Sequence, residues 1–325
     1  MNVKVMIVQP IHENGVKMLL NAGFEVVQAS NPDPSVVARE ISDCDGVIVR
    51  TALFTAEIIR NAPKLKVIAR HGVGVDNIDV EEASKHGIYV VNTPNANALS
   101  VAEATVAFIL ALAKQLKYMD VATRKGDFKV RDLFSTMDVD GKTLGIIGLG
   151  RIGSLVAKKC QAAFSMKILA YDPYIDTSKA LELGVELTSL DRLLKEADFV
   201  TIHVPLTAET KNMIGEAQLK LMKPTAYIIN MARGPIWDEY AVVKAINEGW
   251  IAGAATDVFV EEPPKNDHPF LKCEKILLTP HNSALTKECV IRMAEGAAQG
   301  VIEVLTGKKP SFPVNLDLLR KYGKI

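Results

Sequence analysis

Neither sign of charge is in excess in this 325-residue chain: 38 Lys and Arg stand against 38 Asp and Glu, for a formal net charge of zero. A balanced chain lacks the basic field that draws nucleic acids and anionic membrane surfaces, so neither partner is expected. Long apolar runs are also missing. The most apolar stretch, Val106 to Ala113, is bounded by Thr105 and Lys114, far short of the ~20 residues that span a bilayer. The opening MNVKVMIVQP carries neither a basic leader nor a small-residue cleavage site, and it reads as a first strand. Cysteine is scarce. Cys44, Cys160, Cys273 and Cys289 form no CxxC pair and no disulfide framework, which is the pattern of reduced thiols in a cytoplasmic protein. No metal site is expected.

What is present is an ordinary globular composition, 48 % hydrophobic and 23 % charged, with length for about two domains at ~150 residues each. Short β-branched runs alternate with helical stretches. The first half gives strands at Val3–Val8, Glu25–Gln28, Gly46–Val49, Lys66–Ala69 and Ile88–Val91. These runs are apolar on both faces, as strands of a buried parallel sheet are. Ser35 is a candidate N-cap for a helix over Val36–Ile41, and Thr55 for one over Ala56–Asn61. A break follows at Asn92-Thr93-Pro94-Asn95. Ser100, with Glu103 three residues on, then forms a capping box for one long helix from Val101 to about Thr123. That helix is too apolar to stand alone as a connector. A second series gives six strands, at Thr143–Ile147, Lys167–Tyr171, Phe199–His203, Ala226–Asn230, Ala252–Thr256 and Lys275–Leu278, and a last helix runs from about Thr286 to Thr306. Strand–helix alternation predicts a doubly wound α/β fold.

Gly148-Leu149-Gly150-Arg151-Ile152-Gly153 sits between the strand TLGII and a helical stretch. In that context the first glycine permits the tight turn, the second lets backbone approach a pyrophosphate, and the third packs helix on strand. Backbone N–H groups at the helix start then meet the phosphates. Nineteen residues past Gly153 the next strand ends in Asp172. A carboxylate there accepts hydrogen bonds from the adenosine ribose and repels an extra phosphate, which favours NAD over NADP. Asp172 also fits a plain turn before Pro173.

Three further segments end strands of the same series: Asn230-Met231-Ala232-Arg233-Gly234, Asp257-Val258-Phe259-Val260-Glu261-Glu262-Pro263 and Thr279-Pro280-His281. A guanidinium, a carboxylate and an imidazole at strand ends suit hydride transfer to or from a 2-hydroxy acid. An imidazole takes the hydroxyl proton near neutral pH. A carboxylate on its other nitrogen fixes the tautomer. A guanidinium holds the substrate carboxylate bidentately. Taken singly, each has a plainer reading: His281 as a loop residue, Glu262 as exposed loop, Arg233 as a salt-bridge partner, and Trp237 nearby as core.

Through these residues the chain resembles the D-isomer-specific 2-hydroxyacid dehydrogenases, and most of all their D-3-phosphoglycerate dehydrogenase branch. The resemblance also runs through Gly72-Val73-Gly74-Val75-Asp76-Asn77-Ile78-Asp79, Asn92–Asn95, Ser100–Glu103, Gly141–Gly145 and Asp238-Glu239. It implies a Rossmann NAD-binding domain, residues 100–284, inserted into a flavodoxin-like substrate domain, residues 1–99 plus 285–325. It implies catalytic roles for Arg233, Glu262 and His281. It also implies an NAD site lined by Gly148, Gly150, Arg151, Ile152, Gly153, Asp172, Val204, Met231, Ala232, Arg233, Asp257, His281 and Ala284, with Asp257 at the carboxamide. Val73 and Gly74 backbone, with Arg50, Arg233 and His281, would meet the substrate. A homodimer through the connector helix is likewise implied, as is a cytoplasmic role in serine biosynthesis. The expected substrate pair is 3-phosphoglycerate and 3-phosphohydroxypyruvate, with glyoxylate, hydroxypyruvate or another short 2-oxo acid as the alternative. A more distant alternative is an NAD-sensing corepressor-like binding protein. Two departures bear on this. The loop Arg50-Thr51-Ala52-Leu53-Phe54-Thr55 lacks the Lys of some phosphoglycerate-specific relatives. The chain also stops at Ile325, so feedback through a C-terminal regulatory domain is expected to be absent.

Overall fold

The computed structural model describes residues 3–133 and 135–325. Two compact units emerge, one of Met1–Asn97 with Ala284–Ile325 and one of Ala98–Ser283. The crossings thus fall at 97/98 and 283/284 rather than 99/100 and 284/285, because the helix after the Asn92–Asn95 break already begins at Ala98.

The first unit is built on five parallel strands, β1 (Lys4–Ile7), β2 (Glu25–Gln28), β3 (Gly46–Val49), β4 (Val67–Arg70) and β5 (Tyr89–Val91), in the order β2-β1-β3-β4-β5. This is the flavodoxin-like order. One face packs against Ile41, Phe54, Ile58 and Ile59. The other packs against Leu19 and against Ala297, Ala298 and Val301 of the helix Lys287–Leu305, so a helix from beyond the second unit completes the first.

The second unit carries seven parallel strands, β6 (Thr143–Ile147), β7 (Lys167–Tyr171), β8 (Glu186–Leu187), β9 (Phe199–Ile202), β10 (Tyr227–Asn230), β11 (Gly253–Thr256) and β12 (Ile276–Leu278). Their order is β12-β11-β10-β9-β6-β7-β8. The order reverses between β6 and β9, where doubly wound sheets open a crevice at the carboxyl ends of their strands. Six strands were expected; the seventh, β8, is a two-residue edge strand too short to show an alternation of its own. Trp237 is fully buried, edge-on to Phe270, in the core of this unit.

Three local expectations are corrected. Asp33, not Ser35, caps the helix Pro34–Glu40: its Oδ1 accepts the Ser35 N–H at 2.9 Å, and Pro34 takes the first helical position that its fixed φ suits. Ser100 does not cap the connector but lies inside the helix Ala98–Ala113. That helix does not continue to Thr123. It stops at Ala113, whose carbonyl accepts the Met137 N–H at 2.9 Å, and the chain resumes as Leu116–Arg124 beyond a left-handed Gln115 at φ 47°. The Gln115 side chain is occupied by Ser135, donating to its carbonyl at 2.7 Å and accepting from its hydroxyl at 3.0 Å. The two helices meet at 58°, and among the described residues no single helix is long and apolar enough to cross a membrane.

Candidate active site

The Gly-rich turn leaves β6 with Gly148 at φ 94°, a region that disfavours a side chain. A Cβ there would lie 2.8 Å from Val204 and 2.9 Å from the His203 carbonyl carbon. The ends of β6 and β9 therefore touch at the point of sheet reversal. A Cβ on Gly153 would collide with the Gly148 carbonyl, whereas one on Gly150 would stand in open space at the start of the helix Arg151–Phe164. An open cradle over the first, intrahelically unpaired N–H groups of a 14-residue helix fits a pyrophosphate. Asp172, just past β7, accepts the Leu149 N–H on Oδ2 and the Tyr174 N–H on Oδ1, both at 2.9 Å. Each oxygen keeps a lone pair, and the carboxylate is fixed beside the Gly-rich turn, where a dinucleotide's ribose would stand.

Arg233, Glu262 and His281 follow β10, β11 and β12, three neighbours in the sheet. The first two turns are each set by a buried polar residue at the strand end. Asn230, fully buried, accepts the Ala232 N–H at 3.0 Å and donates to the Arg233 carbonyl at 2.9 Å. Thr256, also fully buried, accepts the Val258 N–H at 3.1 Å and donates to the Val258 carbonyl at 2.7 Å. Gly234 lies flush on the Phe259–Val260 peptide, so any Cβ there would overlap backbone. This close approach brings the Arg233 segment against the loop that carries Glu262.

Glu262 Oε1 accepts the Phe259 N–H at 3.0 Å, and Oε2 lies 2.7 Å from His281 Nδ1. Both side chains remain partly open to solvent, at 38 % and 45 %. Burial opposes the Glu262 charge, but the bonds from His281 and Phe259, with the Arg233 charge nearby, outweigh it and hold the carboxyl below its ordinary range. Against an ionised partner, Nδ1 is the protonated nitrogen of a neutral imidazole and Nε2 is left as a base.

Asp257, 4 % exposed, has a role that sequence reasoning did not foresee. Its Oδ1 accepts the Thr279 hydroxyl at 2.5 Å and the Asn282 N–H at 2.9 Å, and its Oδ2 accepts the Ser283 N–H at 3.0 Å. Three of its four acceptor positions are thus spent on the segment bearing His281, and one on Oδ2 remains for a ligand. Glu239 and His268 carry no site expectation in the sequence: Glu239 enters only through the Asp238-Glu239 motif of the family resemblance, and a single His before Pro269 gives no signal of its own.

The remaining candidates are distributed as follows. Met231 is buried and Ala232 partly so, both beside Arg233; Ile152 and Val204 are partly buried and Arg151 exposed. Arg50, Val73, Gly74 and Ala284 belong to the first unit. There Arg50 Nη1 donates to the Pro10 carbonyl at 2.9 Å, Asn77 ties the Arg50 and Ala52 carbonyls at 3.2 and 2.7 Å, and Asn92 ties the Val73 carbonyl at 2.8 Å. Ala284 packs beside Ala96, Cys289 and Met293.

Residues 106–283 match the family model described as the D-isomer specific 2-hydroxyacid dehydrogenase, NAD binding domain. The chain is 43 % identical over 327 residues to a D-3-phosphoglycerate dehydrogenase of Methanocaldococcus jannaschii, an alignment covering 99 % of this chain and 62 % of that protein. It is 41 % identical over 327 residues to a glyoxylate reductase of Korarchaeum cryptofilum, covering 98 % of each. Among solved structures it resembles an NADPH-dependent glyoxylate/hydroxypyruvate reductase of Sinorhizobium meliloti, with a TM-score of 0.86, 26 % identity and coverage of 96 % and 98 %. The chain belongs to the D-isomer-specific 2-hydroxyacid dehydrogenases, a family of NAD-dependent oxidoreductases.

Proposed function

We propose that the chain moves a hydride between nicotinamide and a small D-2-hydroxy acid or 2-oxo acid, with Arg233, Glu262 and His281 as its catalytic residues. The observation that carries this reading is the 2.7 Å pairing of His281 Nδ1 with Glu262 Oε2, made from the ends of neighbouring strands. In the oxidising direction His281 Nε2 takes the proton of the C2 hydroxyl; in the reducing direction the imidazolium returns it to the carbonyl oxygen. Glu262, ionised throughout, holds the ring and offsets its charge. Arg233 orients the substrate carboxylate and the adjacent oxygen. Bound NAD supplies the nicotinamide carbon that accepts or delivers the hydride. Gly148, Gly150, Arg151, Ile152 and Gly153 would hold its pyrophosphate and Asp172 its ribose. Val204, Met231, Ala232, Asp257 and Ala284 would line the nicotinamide half. In this reading the first unit is the substrate domain, with Arg50, Val73 and Gly74 at the acid.

The leading substrate pair is 3-phosphoglycerate and 3-phosphohydroxypyruvate, which places the chain in serine biosynthesis as a cytoplasmic enzyme. One observation favours a substrate with a second negative group. The guanidinium groups of Arg50 and Arg70 stand close enough to His71, next to the Gly72–Gly74 loop, to oppose its protonation, although burial is the larger cause of its fall to about 4. Glyoxylate and hydroxypyruvate form the second reading, supported by relatives of that name aligned over nearly their whole length. A homodimer is part of the proposal: Leu116, Tyr118, Val121, Phe128 and Leu133 are exposed along Leu116–Leu133 in the second unit, and a second copy is the proposed cover. The test is a panel of 3-phosphohydroxypyruvate, hydroxypyruvate and glyoxylate with NADH, followed by loss of NADH absorbance. The highest kcat/KM for the phosphorylated acid is expected. Preference for glyoxylate selects the second reading, and no turnover of any member overturns the enzymatic one.

A further inference from the structure

A second His–Glu pair lies behind the first. Glu239 is the first residue of the helix Glu239–Asn247, and His268 caps the short helix Pro269–Lys272. His268 Nε2 and Glu239 Oε2 are 3.0 Å apart, with side chains only 13 % and 6 % exposed. The tautomer follows from the cap: Nδ1 accepts the Phe270 N–H at 3.3 Å, so the ring proton sits on Nε2 and is donated to Glu239. Phe259 and Phe270 press edge-on against the imidazole, with centroids at 5.8 and 5.1 Å.

The other Glu239 oxygen, Oε1, accepts the Val260 N–H at 3.0 Å. The preceding amide, Phe259 N–H, goes to Glu262 Oε1. Two consecutive amides are therefore divided between two carboxylates, the buried Glu239 and the partly exposed Glu262. Gly234, next to Arg233, lies on the same Phe259–Val260 peptide. Pinning that peptide fixes where Glu262 Oε1 is anchored, and hence where Oε2 meets His281. The hydrogen bonds of Glu239 and His268 go to the Val260 N–H, the Phe270 N–H and each other, so their influence on Glu262 runs through the Phe259–Val260 peptide.

We propose that Glu239 and His268 are a positioning dyad that sets Glu262 against His281; this rests on the roles given above to Glu262 and His281. His268→Asn separates the dyad from the cap, because an Asn side chain can still accept the Phe270 N–H as an N-cap but is too short to reach Glu239. Glu239→Gln keeps an acceptor for the Val260 N–H and removes the charge that holds His268, and it serves as the second variant should His268→Asn fail to fold. For each variant, kcat with the best 2-oxo acid is expected to fall roughly tenfold or more, since small misplacements of a reacting group are costly, with KM and NADH affinity held within about twofold. Combined with Glu262→Gln, neither is expected to lower kcat further, because all act through one carboxylate. The readout independent of turnover is the tautomer of His281, taken from its ring 15N shifts. The dyad variants are expected to lose Nδ1–H population toward the level of Glu262→Gln. Multiplicative losses in the double variants, or an unchanged His281 tautomer, overturn the dyad. Failure of the wild type to reduce any 2-oxo acid overturns the enzymatic reading instead, and the tautomer comparison still decides the dyad.

Discussion

Asp257 accepts the Asn282 N–H at 2.9 Å, and through this bond a residue at the end of one strand shapes the turn after the next. His281, just before Asn282, has φ 50°, a conformation that a residue with a side chain adopts at a cost. The bonds from Thr279 and Ser283 to the same carboxylate complete a clasp around it. The imidazole is thus aimed by its backbone as well as by Glu262.

Asp257→Asn tests that clasp. One amide oxygen replaces two acceptors, and an NH2 group is turned toward at least one N–H. The expected cost is about 1–3 kcal/mol of stability for a buried donor left unpaired, measured by urea denaturation, together with a fall in kcat. Unchanged kcat in the folded variant would remove Asp257 from the positioning of His281.

Glu262→Gln separates charge from shape. Gln keeps an acceptor for the Phe259 N–H and loses the charge that stabilises the imidazolium, so kcat is expected to fall by about a hundredfold or more with NADH binding retained. A loss smaller than about threefold contradicts the role given to the carboxylate.

Cofactor choice is read from Asp172. Because both oxygens accept backbone amides, Asp172→Asn is the gentler probe: it keeps an acceptor and removes the charge that repels a ribose phosphate. The wild type is expected to prefer NADH, and the ratio of kcat/KM for NADH over NADPH should drop by about tenfold or more in the variant, since like charges juxtaposed cost several kcal/mol. A wild type that prefers NADPH contradicts the reading.

Acid stability follows from two histidines. Burial pushes His203 down to about 3, and its Nδ1 is buried without a partner. Burial, then the Arg50 and Arg70 charges, push His71 down to about 4. Between the unfolded value of about 6.5 and these folded values the unfolded chain binds more protons. Stability from both rings is therefore full above pH ~6.5 and is lost as pH falls, by up to about 3 kcal/mol for each ring at pH 4. Urea midpoints between pH 7 and pH 4 should fall less steeply in His203→Phe and His71→Phe. Parallel slopes in wild type and variants would show that other groups carry the effect.

Much of this was legible in the chain because parallel strands announce themselves as short apolar runs and place their chemistry where each run ends. Gly148–Gly153, Asp172, Arg233, Glu262 and His281 all stand just past such runs, and the doubly wound order puts the last three side by side. What escaped depends on partners distant in sequence. His268 and Glu239 are 29 positions apart and meet only in the folded unit. The apolar pattern runs on through Gln115, and it is the arrival of Ser135 and Met137 that ends the helix. Asp257 sits where a ligand contact was expected, and only the folded turn shows most of its acceptors already taken.

The most direct test of the catalytic assignment is His281→Gln, assayed for NADH oxidation with the best 2-oxo acid and, separately, for NADH binding by fluorescence. Turnover is expected to fall by about ten-thousandfold, as for loss of a general acid–base, with NADH affinity within about twofold of the wild type. Turnover near the wild-type level in that variant would contradict the assignment.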